Sequence, residues 1–186
     1  MNKGSVWFLI AVAVFVMALI VIAVYYHRRA QKSSQRDWRQ LLTRLTIVDR
    51  SSIAEVALDI IDESGERRKD EGSAALEPSE IWKLVGGLKG LEMLEANCAV
   101  LIDLAFYVQQ WYPEALAVAE QLRLSAKEIE WHVERLKGAQ KTGKLESAFV
   151  MYAQPAVAAY YLMTRRVLAL YEEGNLAMLA DLREAL

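Results

Sequence analysis

Three features of this chain predict an all-α protein: a single N-terminal transmembrane helix, then an antiparallel bundle of three long helices with short flanking helices. Residues 6–26 form an unbroken apolar run of 21. Beyond it, apolar residues recur at intervals of three and four over three long stretches, the spacing of one helix face. No segment alternates apolar and polar over the length of a strand.

At about 1.5 Å of rise per residue, the apolar run spans roughly 31 Å, the thickness of a bilayer's hydrocarbon core. It is longer than the core of a cleavable signal, and no small-residue cleavage pattern follows it. Trp7 at one end and Tyr25 and Tyr26 at the other match interfacial aromatic belts. Only Lys3 precedes the run, whereas Arg28, Arg29, Lys32, Arg36 and Arg39 follow it. Those five are the expected membrane-surface contacts, and the asymmetry puts the N-terminus outside and residues 27–186 in the cytoplasm.

Composition agrees. Cys98 is the single cysteine, so an internal disulfide is impossible, as suits a reducing compartment. Residues 27–50 carry seven Arg/Lys against Asp37 and Asp49, a balance of +5, while residues 51–186 carry 14 basic and 22 acidic side chains, a balance of −8. The acidic remainder argues against nucleic acid as a partner. The chain divides into an anchor (1–30), a basic juxtamembrane stalk (31–50) and a cytoplasmic helical bundle (51–186), with the lipid bilayer as its first partner.

Within the bundle, Ser52-x-x-Glu55 reads as a capping box that opens a short amphipathic helix with Ile53, Val56, Ala57, Ile60 and Ile61 on one face. Residues 64–73 hold no apolar side chain and read as an exposed linker. Pro78 then starts the first long helix, with Ile81, Leu84, Leu88, Leu91, Cys98, Ile102 and Ala105 in step. Gly86, Gly87 and Gly90 weaken that helix and mark either a close approach or a bend. Residues 96–108 are apolar nearly all round, the mark of a central helix.

Pro113 opens a second long helix, whose stripe is Ala115, Ala119, Leu122, Ala126, Ile129, Val133 and Leu136. Its phase is unbroken through Ser125, so one helix to about residue 139 is expected, despite a second capping-box pattern at Ser125-x-x-Glu128. The third carries Phe149, Ala153, Ala156, Tyr160, Met163, Val167 and Leu170 and stops at Gly174, after which Asn175 is positioned to cap a last short helix. A charge-free run at 148–163 is the competing second membrane pass, but at 16 residues with Gln154 and Pro155 it fits a buried core helix better.

Signatures of catalysis are missing: the chain has no Gly-rich phosphate loop, no nucleophile elbow and no zinc-binding His pair. Cys98 falls on an inward face, where a cysteine acts as a small hydrophobe. Folding about Tyr112-Pro113 brings Glu92, Glu95, Glu128 and His132 to one height, a carboxylate–imidazole group of the kind that binds metal in bundles. The spacing departs from Glu-x-x-His and no second histidine completes it, so the expectation is no metal, no cofactor and no enzyme. Glu95, facing inward, requires a partner or a position at the bundle's end. Trp131 lies off the stripe of its helix and is the expected protein contact.

The functional expectation is a membrane-anchored, non-enzymatic interaction domain serving as scaffold, assembly factor or accessory subunit. Its partner is another protein or a second copy. A membrane-linked sensor is the alternative, weakened by the mere five residues before the span; a metal-dependent bundle enzyme ranks third.

Overall fold

The computed structural model describes residues 3–34, 38–62, 64–66, 76–109 and 111–186; within the first helix the side chains at 3–6, 9, 23 and 26–34 fall outside the description. Among the described residues the protein is all-helical, packed as a bundle, with no strand. The expected linker at 64–73 is described only at 64–66, where Asp62 accepts from Ser64 Oγ and from the Glu66 N–H.

α1 (Lys3–Ser34) is one helix of 32 residues. Its large apolar side chains, among them Trp7, Phe15, Met17, Ile20 and Tyr25, are exposed on all sides rather than on one stripe. Among the described residues no helix is long and apolar enough to cross a membrane. The expected span at 6–26 includes four positions, 6, 9, 23 and 26, whose side chains are not described.

The core begins earlier than expected. Trp38 and Leu41 of α2 (Trp38–Leu42), and Leu45 just after it, are buried, although they lie in the stretch read as a stalk. Trp38 stacks against Tyr107 and Tyr171, with ring centroids 5.6 and 5.5 Å away, and its indole N–H donates to Asp181 at 3.3 Å. The basic residues between them masked this apolar spacing; one, Arg44, pairs with Asp103 at 2.8 Å. The chain then turns through residues 43–45 to Thr46, whose N–H donates to Asn97 Oδ1 and whose carbonyl accepts from Asn97 Nδ2, both at 2.8 Å. Asn97 is 1% exposed and also donates to the Tyr160 hydroxyl at 3.2 Å.

α3 (Arg50–Ile60) starts before the expected Ser52 box. Asp49 caps it, accepting from the Ser51 N–H at 3.0 Å and from the hydroxyls of Ser51 and Ser52. Those bonds hold the Asp49 carboxyl below the usual carboxylate range.

The first long helix divides in two. α4 (Pro78–Val85) ends at Gly86 and α5 (Gly87–Val108) starts immediately after it. Gly86 and Gly87 both have positive φ, 79° and 64°, conformations that L side chains resist. A Cβ on Gly90 would lie 1.7 Å from the Val85 carbonyl oxygen, so the third glycine lets the end of α4 cross α5 closely. Gly86 and Gly87 thus make a bend, and Gly90 the close approach.

α6 (Ala115–Lys141) is unbroken through Ser125 and buries its expected stripe, Ala126 only partly. Pro113 and Glu114 form a turn ahead of it rather than its first residues. α7 (Leu145–Glu173) carries Pro155 in its interior and buries all seven residues of its stripe. α8 (Leu179–Ala185) follows; Asn175 sits in the preceding turn at φ 46° instead of capping it.

α5, α6 and α7 run antiparallel through short turns, α3 packs on α7, and α1 and α2 pack on α5. The run at 148–163 lies within α7, where Tyr160 and Met163 are core residues and Gln154 donates to Asp59 of α3 at 2.8 Å. Its polar pair is satisfied inside the bundle.

Asn97→Ala leaves the Thr46 amide and carbonyl without partners and should destabilise the protein by about 2 kcal/mol or more. Thr46→Ala, which keeps those backbone groups, should cost under about 0.5 kcal/mol. Chemical denaturation in detergent micelles compares them, and equal losses would show that the side chain of Thr46, not the clasp, matters.

Candidate functional site

The outward face of α6 is built by what its inward face requires. Ile129, Val133 and Leu136 point into the core, which turns His132 toward α7 and leaves Trp131 on the rim. Trp131 is 49% exposed. Its ring meets Tyr152 of α7 edge-on at 5.7 Å, and the Arg135 guanidinium lies 5.1 Å from its centroid. The expected contact residue is thus half covered by its own bundle, and its other half faces out.

Two more large apolar side chains are exposed on the same two helices. Leu124, seven residues before Trp131 and hence on the same face, is 70% exposed, and Met151 of α7 is 61% exposed. Beside Met151 and Tyr152 a hollow of about 550 Å³ opens between the end of α6 and the start of α7, with Arg135, Gly138, Thr142 and Ser147 around it. Tryptophan, methionine, tyrosine and arginine together are the composition of a protein contact.

His132 is buried, and its Nδ1 has no hydrogen-bond partner among the described residues. Desolvation lowers its pKa, partly countered by the charge of Glu128. Glu128 is exposed, while His132 packs near Tyr152, centroids 5.9 Å apart.

The four-residue constellation also separates. Lys137 Nζ draws in Glu134 at 3.0 Å, Glu95 at 3.4 Å and Glu92 at 4.0 Å, which supplies the partner that Glu95 required. The Glu134 bond, with Glu95 adding to it, raises the Lys137 pKa. Sequence reasoning missed Lys137, because a hinge at Tyr112-Pro113 sets residue 95 opposite about 130, and only a long lysine side chain reaches back from 137. Among the described residues no group of three or more His, Cys, Asp or Glu could hold a metal ion.

Cys98 is buried and its Sγ donates to the Leu94 carbonyl at 3.2 Å. Burial, then the nearby Glu95 charge, pushes the thiol up to about 12, so no thiolate forms near neutrality. Of the expected membrane-surface residues, Arg39 is exposed on α2; the side chains of Arg28, Arg29 and Lys32, and all of Arg36, lie outside the described residues.

Comparison with protein-family models, with curated proteins and with solved structures finds no match to this chain.

His132 sets a pH dependence. Its folded pKa is depressed, so its stabilising contribution is complete above the unfolded value, about 6.5, and is lost as pH falls through the lower folded value. Melting temperature should therefore decline between pH 7 and 5 more steeply for the native protein than for His132→Phe. Parallel declines would show that His132 is not buried in its neutral form.

Proposed function

We propose that this protein is a single-pass, membrane-anchored interaction domain, non-enzymatic, with its N-terminus outside and its bundle at the cytoplasmic face. In that position it serves as scaffold, assembly factor or accessory subunit. One observation carries the reading: α1 exposes large apolar side chains all round, while the buried core begins just beyond it at Trp38. A helix apolar on every side requires apolar surroundings, and among the described residues the bundle buries none of the large side chains from Trp7 to Val24. The 21-residue length of the apolar run and the basic cluster that follows it support the span and its orientation.

The contact surface is Trp131 with Leu124 and Met151, where a protein partner or a second copy would bury exposed apolar area. A signalling module is the second reading, favoured by one observation: α1 packs against α5 rather than hanging from a loose tether, so movement of α1 reaches the bundle.

Cysteines introduced near residue 186 should react with impermeant thiol reagents only after the cell is opened. Reaction in intact cells would reverse the orientation. With the full chain as bait, exchanging residues 6–26 for an unrelated apolar anchor of equal length should preserve the partner, because the run has no Gly-x-x-x-Gly and no pair of small residues four apart. Trp131→Glu should weaken capture by more than about 1 kcal/mol. Loss of the partner in the anchor exchange, with Trp131→Glu unaffected, would place recognition in the membrane instead.

A further inference from the structure

Leu124, Glu128, Trp131, Arg135 and Gly138 follow one another on α6 at steps of four and three, and all five are exposed. That spacing is the seam of a coiled coil, here turned away from the bundle. Two of its charges have no opposite. Among the described residues neither Glu128 nor Arg135 forms an ion pair, whereas Glu120 and Glu134 of the same helix are taken by Arg123 and Lys137. Three or four residues from Glu128 the only titratable group is His132, which desolvation holds toward its neutral form. Arg135 has only the Trp131 ring, 5.1 Å from its guanidinium. Gly138 is also unexplained by its own chain: a Cβ there would meet nothing within 4 Å, yet glycine weakens a helix interior.

We infer that this face pairs with the same face of a second copy of the chain, antiparallel, about a two-fold axis beside Trp131. This deepens the contact-surface reading, on which it rests. Glu128 and Arg135 stand about 5 Å to either side of a point between residues 131 and 132, and Leu124 and Gly138 about 10 Å to either side. A two-fold through that point brings each copy's Glu128 to the other's Arg135, and each Leu124 to the other's Gly138. Leu124, 70% exposed, then enters the hollow of about 550 Å³ that opens beside Gly138 toward Met151, and the missing Cβ is what lets it in. At the axis the two Trp131 rings cover each other's exposed half. On the flank Lys127 comes toward the second copy's Glu134, already bound to its own Lys137, which adds no like-charge contact. Parallel pairing would instead set Glu128 against Glu128 and Arg135 against Arg135.

Sedimentation equilibrium of the full chain in density-matched detergent micelles, from about 1 to 100 µM, reads the association. The native chain should pass from monomer to dimer. Glu128→Arg and Arg135→Glu should each weaken the dimer at least about tenfold, because each sets like charges opposite one another. An equimolar mixture of those two variants should recover association to within about threefold of native, since every pair formed between them is of opposite sign. Gly138→Phe, which has room in the single chain, should keep the native melting temperature and lose the dimer. A chain that stays monomeric, reversals without effect, a mixture that does not recover, or a dimer indifferent to Gly138→Phe each overturns the inference. Capture with Trp131→Glu separates the two layers. A monomeric chain that still loses a different protein on that substitution overturns the self-pairing alone, and a monomeric chain whose capture is unchanged overturns the contact surface with it.

Discussion

Asn97 clasps the chain's first packed connection to its core. Its amide takes both backbone groups of Thr46 and gives one N–H to Tyr160, so a side chain buried on α5 satisfies polar groups from the connecting segment and from α7 at once. A buried amide costs several kcal/mol when left unpaired, and this one reaches low energy only when all three parts are in place. Around it the segment from Trp38 to Asp49 runs back along α5. Trp38 lies against Tyr107 near one end, Arg44 on Asp103 further along, and Thr46 on Asn97 beyond that. The segment from Trp38 to Asp49 is thus a strap packed on the bundle.

The rest of the fold follows from holding that strap. Asp49 ends it by capping α3, α3 is fixed to α7 through Asp59 and Gln154, and the glycine corner at 86–90 turns α4 across the start of α5. The C-terminus is drawn into the same arrangement, since Trp38 donates to Asp181 and Arg50 donates to the Arg183 carbonyl. Tyr171 closes the far side by donating to the Leu104 carbonyl at 3.0 Å. The strap and α3 are thus held by polar contacts to α5 and α7, and the C-terminus by polar contacts to Trp38 and Arg50, while the apolar stripes provide the bulk of the burial.

The apolar stripes of α6 and α7 were legible because helical periodicity is a local signal: every stripe residue of α7 is buried where the spacing put it. The strap was not legible, because its burial depends on a segment that alternates basic and apolar residues, and charge at Arg39 and Arg44 reads as solvent from sequence alone. Three glycines within five residues signalled a perturbation of the first long helix, but choosing a bend required φ at Gly86 and Gly87. The exposure of Trp131 was legible in its departure from the stripe. Lys137 was missed because side-chain reach between facing helices is not encoded in spacing, and the approach of Arg123 to Tyr25 was missed because nothing local joins residue 25 to residue 123.

The strap clasped at Asn97, together with the packing of α1 on α5, fixes α1 relative to the bundle. Paired spin labels at Val24 on α1 and Gln121 on α6, both exposed positions, report it directly through their distance distribution in lipid nanodiscs. The account predicts a single narrow distribution in the native chain that broadens in Asn97→Ala. A broad distribution in the native chain would mean that the bundle swings freely about α1.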